Sequence, residues 1–581
     1  MKILLLHPED NPGQGPWAAM PWDRVIDLGL GGVNSYEEWR RQCRCPVTPV
    51  NSLRQGFSDF RRVRDVLALG CGRLIDKHGL DWWEILSILL HEEVETLLLL
   101  RRFAETVAAD DEVHISRPGL HAGLLQCFLP DRTKVVALRR AARKGGLASY
   151  ARAVNRLSAT QMIDVFWDKY DAGYQFRGRF ARKRPRSRQP VVLLPTAYVN
   201  VSRTGIAYAK TFSEENFLLV ATRKSGWLSE LPPNVESAAL SSYAARRGRS
   251  GECEDLEDRF RALLNHLAAV PEFEILNRLG YLDSFPQRFR HGLEVRDAWR
   301  NVLETEPVQA VLCADDSNPY TRIPLLMARE RGLTNIACHH GALDGRYVFK
   351  RSYADLIWAK GKMEEDYLVR KCGVPRERVE IGAPAPPVSS REAEKRDVFR
   401  PYLVFFSELY EASGGRLDGL YRDILPPLAD VALATGRRLV VKLHPAESER
   451  ERTRMLARVL SADQLRAAGV VTGPLTENLL AKTWCGVTIL STVAAECAVR
   501  GIPCFLCQWL EGLPYGYVEQ FIRFGVGIGL DNPDEIRKIP ELLRDYRVRS
   551  EVRENCSQSV APGRLRQLLA SSQEPSTAAA S

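Results

Sequence analysis

From Pro190 onward the chain alternates short apolar runs with amphipathic segments, and no other feature limits its fold so tightly. The runs VVLLP, NFLLVAT, AVLCADD, NIACHHG, DLIWAKG and RVEIGAP carry Val, Ile and Leu on consecutive rather than alternate positions. Strands of that kind are buried on both faces, which is the signature of βαβ units in a parallel sheet. The alternation halts at APAPPVSSREAEKRDVFRP, a Pro- and Ser-bearing charged stretch, and resumes with YLVFFSE, RLVVKLHP, GVVT, GVTILST, IPCFLC and GVGIGL. A linker at 386–400 therefore separates two α/β domains, 190–385 and 401–560.

The first 189 residues read differently. MKILLLHP, RVIDLG and VTPV are strand-like, whereas the spacing from Phe57 to Lys183 is largely helical, with EVHIS as a strand-like interruption. This is an α/β and helix-rich region. The N-terminal apolar run is too short for a signal-peptide core, and the greasiest helical stretch is broken by Glu92, Glu93 and Glu95, so no transmembrane segment is expected. The tail from 561 to 581, ending SSQEPSTAAAS, has little to bury and reads as disordered.

A chain of 581 residues exceeds one ordinary core, and 45% hydrophobic with 26% charged residues is a globular composition. Thirteen cysteines in no repeating framework point to a reducing, cytoplasmic setting. Cys504 and Cys507 form a CxxC without a second pair or a His cluster at ligand spacing, so they read as apolar filler at a strand end, and Cys43 and Cys45 as ordinary cysteines. The net charge of +9 is modest and carries no nucleic-acid signature. Its one dense cluster, Arg177, Arg179, Arg182, Lys183, Arg184, Arg186 and Arg188, is either a solvated connector or a contact with an anionic partner, the lipid headgroups at the inner face of the cytoplasmic membrane or an anionic acceptor.

Parallel sheets place ligands at the carboxyl ends of their strands, so the residues there are the candidates for chemistry. In the second domain one strand ends in His444-Pro445, and another ends in Ser491-Thr492 and runs into a helical segment bearing Glu496. Hydroxyls at a helix start suit a phosphate, and a carboxylate just over one turn on suits a ribose. In the first domain the strand ends offer Asp315-Asp316 and His339-His340, and the loop after VVLLP offers Asn200, Ser202, Arg203 and Thr204 for substrate contact or helix capping. Because adjacent strand residues point to opposite faces, one member of each pair is expected to face ligand. Lys442 reads as a surface residue.

Taken in order, Ala314-Asp315-Asp316, His339-His340-Gly341, His444-Pro445, Ser491 to Glu496 and Gly501-Ile502-Pro503 resemble the motif series of GT-B glycosyltransferases and UDP-N-acetylglucosamine 2-epimerases. His339 stands where the epimerases have an acid, and Thr492-Val493 where they have Gly-Gly. The His-Pro and Ser-Thr elements are similar instead to those of capsule and surface polysaccharide transferases. That resemblance implies an α/β protein with two Rossmann-like domains (GT-B) facing across a cleft, plus the extra helix-rich N-terminal region. It also implies an inverting, metal-independent glycosyl transfer from a nucleotide-sugar donor (CMP, CDP or UDP) to a glycan or lipid-linked acceptor.

On this reading His444, Ser491, Thr492 and Glu496 bind the donor, and the base comes from Asp316, His340, Asp315 or His339, in that order. No cofactor or metal is expected, since Asp315 and Asp316 lack Asp-x-Asp spacing. The alternatives are a UDP-sugar 2-epimerase, a CDP-glycerol-type glycerophosphotransferase and a non-catalytic scaffold of the same fold.

Overall fold

A computed structural model describes residues 1–7, 10–12, 15–117, 120–129, 134–137, 188–244, 250–385, 399–410, 416–445, 447–512, 515–544 and 546–571. The basic run up to Arg186 and most of the expected linker lie outside these residues. The described strands are β1 (Lys2–Leu6), β2 (Arg24–Asp27), β3 (Val47–Pro49), β4 (Glu112–Ile115), β5 (Lys134–Ala137), β6 (Val191–Thr196), β7 (Phe217–Ala221), β8 (Val235–Ala239) and β9 (Val308–Cys313). They continue as β10 (Thr334–Ala337), β11 (Leu356–Ala359), β12 (Val379–Ile381), β13 (Tyr402–Phe406), β14 (Arg438–Lys442), β15 (Ala468–Val471), β16 (Thr483–Thr488), β17 (Cys504–Cys507) and β18 (Ile528–Leu530).

These strands form three sheets, ordered β3-β2-β1-β4-β5, β12-β11-β10-β9-β6-β7-β8 and β15-β14-β13-β16-β17-β18. Their pairings, such as β6 with β9 and β13 with β16, are parallel. Numbered from its own first strand, each sheet has the order 3-2-1-4-5, extended by further strands in the two larger ones. The expected α/β class with Rossmann-like parallel sheets is what the chain forms. In such a sheet the connections leave the first and fourth strands in opposite directions, which opens a crevice at their carboxyl ends. The three switch points lie between β1 and β4, between β6 and β9, and between β13 and β16.

One of the three sheets lies in the region read as helix-rich. There β4 and β5 join β1 to β3, and β5 (KVVA) comes from sequence that reads as helical. The other unexpected strand is β8, VESAA, whose exposed Glu236 hides its strand character.

The chain divides into two compact units. The first gathers described residues within Met1–Phe60, Val94–Ala159 and Val388–Cys556 and contains the five- and six-stranded sheets. Its larger core joins Phe405, Leu420, Ile424, Leu428, Val441, Val487 and Phe505, all fully buried. The helix Val33–Cys43 packs on the helix Leu417–Ala434 where two glycines meet: a Cβ on Gly32 would sit 2.3 Å from the Gly419 carbonyl oxygen. At the same contact Asp423 accepts hydrogen bonds from the N–H groups of Val33 (2.5 Å) and Asn34 (3.1 Å), capping the shorter helix from outside its own segment.

The second unit gathers Arg61–Glu93, the described residues within Thr160–Pro387, and 557–571, around the seven-stranded sheet. Glu84, from the N-terminal region, is buried there against Arg322 and accepts from the backbone N–H (2.7 Å) and hydroxyl (2.9 Å) of Ser352. The expectation of a disordered tail from 561 does not hold for Arg564–Ser571, which form a helix. Leu565 (0% exposed) and Leu569 (7% exposed) enter the core of the seven-stranded sheet, and Arg564 pairs with Glu380 at 2.7 Å. Two apolar side chains four apart are enough to anchor a single short helix when a complementary surface receives them.

Candidate functional site

The crevice between β6 and β9 is lined from four strand ends. After β9 the chain turns at Asp315, whose carboxylate accepts from the Ser317 N–H (3.1 Å) and from the Tyr198 hydroxyl beyond β6. After β10 come His339 and His340. The strand stops at Ala337, so the alternation expected to send the two imidazoles to opposite faces no longer applies. Their rings lie 4.3 Å apart, and one ligand atom from each comes within 4.8 Å of the other and of an Asp315 carboxylate oxygen. A backbone bridge pairs Asp315 with His339, and Lys360 Nζ holds the turn by donating to the carbonyls of His339 and of Gly341 (2.7 Å).

Asp316 leaves this cluster. Its carboxylate forms a 2.6 Å ion pair with Lys350, both groups being almost fully buried, and the Lys350 ammonium sits 3.3 Å from the centre of the Tyr347 ring. Burial pushes the Lys350 pKa down while Asp316 pulls it up. The residue placed first as base by the sequence is thus committed to a buried salt link.

Around the imidazoles stand residues that the sequence reading passed over. Asp344 accepts from the Ser317 hydroxyl, from the Arg346 N–H (3.1 Å) and from Arg346 Nε (3.2 Å), and its Oδ2 is 3.9 Å from His339 Nε2. Burial alone would raise its pKa, but Arg346, His339, Lys350 and the Ser317 hydroxyl together hold it well below the carboxylate range. Burial holds both imidazoles below their ordinary pKa, with His340 adding to the effect on His339 and Asp315 opposing it on His340. Tyr198 meets His340 edge to face at 5.3 Å. A Tyr two residues past a buried strand and an Asp-x-Arg after His-His-Gly were the available signals.

The loop residues named for substrate contact are helical. The helix Val199–Thr211 begins so close to β6 that Asn200, Ser202, Arg203 and Thr204 fall in its first two turns. Ser202 is buried and bonded to Thr196 Oγ1 (2.7 Å) and to the Gly226 carbonyl (2.6 Å), and Thr204 bonds back to the Asn200 carbonyl (3.1 Å). Asn200 and Arg203 are exposed.

In the first unit Ser491 and Thr492 follow the carboxyl end of β16, which pairs with β13. Ser491 Oγ accepts a 3.4 Å bond from the Val493 N–H at the start of the helix Val493–Val499, and the Ser491 side chain also bonds Glu408 past β13. His444 stands past β14, its N–H donating to Glu447 Oε2 at 2.7 Å. The Glu447 side chain is itself fully buried and takes bonds from Ser407 (2.9 Å) and Arg452 (2.8 Å). Burial lowers the His444 pKa, with Glu447 opposing, and the ring is half-buried. Glu496 points elsewhere: it is exposed and pairs with Arg500 (3.0 Å), which also holds Glu477 (2.6 Å). Lys442 is buried rather than on the surface, because its ammonium caps the carbonyls of Leu443 (2.6 Å) and Gly473 (2.7 Å).

Glu408 is a further residue the sequence reading missed. Burial pushes its pKa up to about 7, with Ser491 opposing and Glu447 adding to the rise. A carboxyl whose folded pKa lies above its unfolded value contributes full stability below about pH 4.5, and that contribution is lost as pH climbs through about 7. Glu408→Gln is therefore expected to gain stability over the parent by about 3 kcal/mol on going from pH 4 to pH 8. Urea unfolding at the two pH values checks it, and an unchanged difference between parent and variant would show that Glu408 is not desolvated.

No family model matches the chain, and no curated protein matches it. Solved structures it resembles include the UDP-GlcNAc 2-epimerase of Methanocaldococcus jannaschii, at 10% identity over 66% of this chain and 100% of that one, TM-score 0.40. CalG4, the calicheamicin glycosyltransferase, is similar at 13% identity over 66% of this chain and 95% of that one, TM-score 0.37. The wall teichoic acid polymerase TagF is similar at 10% identity over 73% of this chain and 98% of that one, TM-score 0.36.

Proposed function

We propose that the chain is a glycosyltransferase of the GT-B type that moves a sugar from a nucleotide-sugar donor to a glycan or lipid-linked acceptor of surface polysaccharide synthesis. One observation carries this reading: polar residues picked out in the sequence, Asp315 after β9 and Ser491 after β16, follow strands at the switch points of two Rossmann-ordered sheets, with His339, His340 and His444 on neighbouring strand ends. In the six-stranded sheet the Ser491 and Thr492 hydroxyls offer donors to a phosphate, with Glu408 bonded to Ser491 and His444 on its own strand end. Neutral donors aimed at a leaving diphosphate or monophosphate stabilise its charge as the glycosidic bond breaks. In the seven-stranded sheet His340 is the base best placed to take the acceptor's hydroxyl proton, because Asp316 is neutralised by Lys350 and His339 lies deeper, at 7% exposure. Glu496, exposed and held by Arg500, has no part in this assignment. No described helix is long and apolar enough to cross a membrane, and contact with a membrane surface through the basic run, at the inner face of the cytoplasmic membrane, is part of the proposal.

The test is a thermal-shift screen with CMP, CDP and UDP, followed by transfer assays with the matching sugar nucleotides. A nucleotide present at a hundred times its Kd should stabilise the first unit by about 2.7 kcal/mol. Ser491→Ala should weaken that nucleotide at least tenfold. Binding of no nucleotide, or turnover of a sugar nucleotide that needs no acceptor, would overturn the reading.

A further inference from the structure

We propose that Asp315, His339 and His340 form a binding site for a divalent first-row transition metal ion, with zinc the best match to the ligand set. The inference goes beyond the transferase reading and does not depend on it.

Three side chains of metal-ligating type, from the ends of two neighbouring strands, bring one ligand atom each within 4.8 Å of the others. Ligands 2.0–2.2 Å from a tetrahedral zinc stand about 3.4 Å apart, so closure on the ion requires about 1.4 Å of movement at most, within reach of side-chain rotation. Two imidazoles and one carboxylate with an open position suit zinc and its first-row neighbours rather than magnesium or calcium, which take oxygen ligands.

The hydrogen bonds around the cluster favour this use. His340 Nδ1 is buried and has no hydrogen-bond partner among the described residues. A buried lone pair left in this way is unfavourable, and a metal bond would satisfy it. His339 Nδ1 takes only a 3.2 Å bond from the Gly341 N–H, which places the ring proton on Nε2. That Nε2 is buried 3.9 Å from Asp344 Oδ2, too far for a hydrogen bond, so a metal on Nδ1 would replace the Gly341 bond. Tyr198 donates to Asp315 and fixes its carboxylate from behind.

Charge is balanced as well. Lys350 is neutralised by Asp316 (2.6 Å) and Arg346 by Asp344 (3.2 Å), with Arg346 Nη2 no nearer than 4.0 Å to Asp315. Asp315 therefore brings its negative charge to the two imidazoles. With an ion bound His340 is a ligand and no longer the proton acceptor, and the ion itself would bind a hydroxyl or water oxygen and lower its pKa.

The full-length protein, stripped with a chelator and dialysed, is titrated with Zn²⁺ by calorimetry and with Co²⁺ by visible absorption, with no nucleotide present. We expect one ion per chain and cobalt d–d bands of a low-coordinate nitrogen–oxygen site. His339→Ala and His340→Ala should each weaken Zn²⁺ at least tenfold, while His266→Ala, at an exposed position, should leave it unchanged. Should an alanine variant unfold, His340→Gln, which keeps a polar side chain of similar reach, is read in its place. Absence of cobalt bands, or Zn²⁺ affinity unmoved in the His339 and His340 variants, would overturn the proposal. Neither result would bear on nucleotide binding in the other unit, so failure here and failure of the transferase reading are separable.

Discussion

Replacing His340 with alanine is expected to lower kcat/KM for sugar transfer by a factor of about 10²–10⁴, the usual contribution of a positioned proton acceptor. The imidazole stands where β9 and β10 end, beside Asp315, its ring 4.3 Å from His339 and 5.3 Å from Tyr198. Asp316→Asn should behave differently. It leaves the Lys350 ammonium buried without its partner, so it should lower stability sharply, and any loss of activity should follow the loss of folded protein. Initial rates normalised to folded fraction separate the two cases. If His340→Ala retains full kcat/KM while Asp316→Asn loses it without unfolding, the base has been assigned to the wrong member of the cluster.

The second large effect concerns Arg416, which ties the six-stranded sheet to the five-stranded one within the first unit. Its guanidinium meets the fully buried Asp27 through Nε (2.9 Å) and Nη2 (2.5 Å), and it donates to the carbonyls of Asp10 and of His7 (2.7 Å) at the carboxyl end of β1. Trp39 lies 5.1 Å beneath it. Arg416→Ala strands Asp27 and the carbonyls of Asp10 and His7, and is expected to cost about 3–5 kcal/mol.

Burial already raises the Asp27 pKa against the pull of Arg416, so without the arginine Asp27 should take up a proton in the folded state. The loss measured by urea unfolding should then be smaller at pH 5 than at pH 8. Arg416→Met combined with Asp27→Leu should recover much of the stability, since an apolar pair of similar volume avoids the desolvation of both charges. Equal losses at both pH values would mean that Asp27 finds another cation.

The geometry also places Arg416 at the third switch point. The chain ends of β1 and β4 carry His7, Ser116 and Arg117, and these are satisfied internally: Ser116 Oγ accepts from the His7 N–H (2.9 Å), and Arg117 pairs with Asp10 (2.8 Å). With Arg416 seated on the His7 and Asp10 carbonyls, this sheet serves as a docking platform for the helix Leu417–Ala434.

The strands of the two larger sheets, β8 apart, were legible because burial on both faces writes itself as a continuous apolar run, a property of contiguous residues. The polar residues closing those runs were legible for the same reason, and Asp315, His339, His340, His444 and Ser491 stand at strand ends as read. The helix Arg564–Ser571 was not, because two leucines four apart signal little until the surface that buries them is known. Nor was β5, whose four residues have no helical or strand pattern long enough to decide between them.

What belongs to the local chain was thus decided by the sequence: the α/β class, the ends of the strands and the kinds of side chain presented there. Which ends lie side by side depends on strand order, set by packing between segments that are often more than a hundred residues apart, as Tyr198 is from Asp315. Only that packing could remove Asp316 to Lys350, bring Asp344 and Arg346 to the imidazoles, place Glu408 against Ser491, and turn two adjacent histidines toward the same carboxylate.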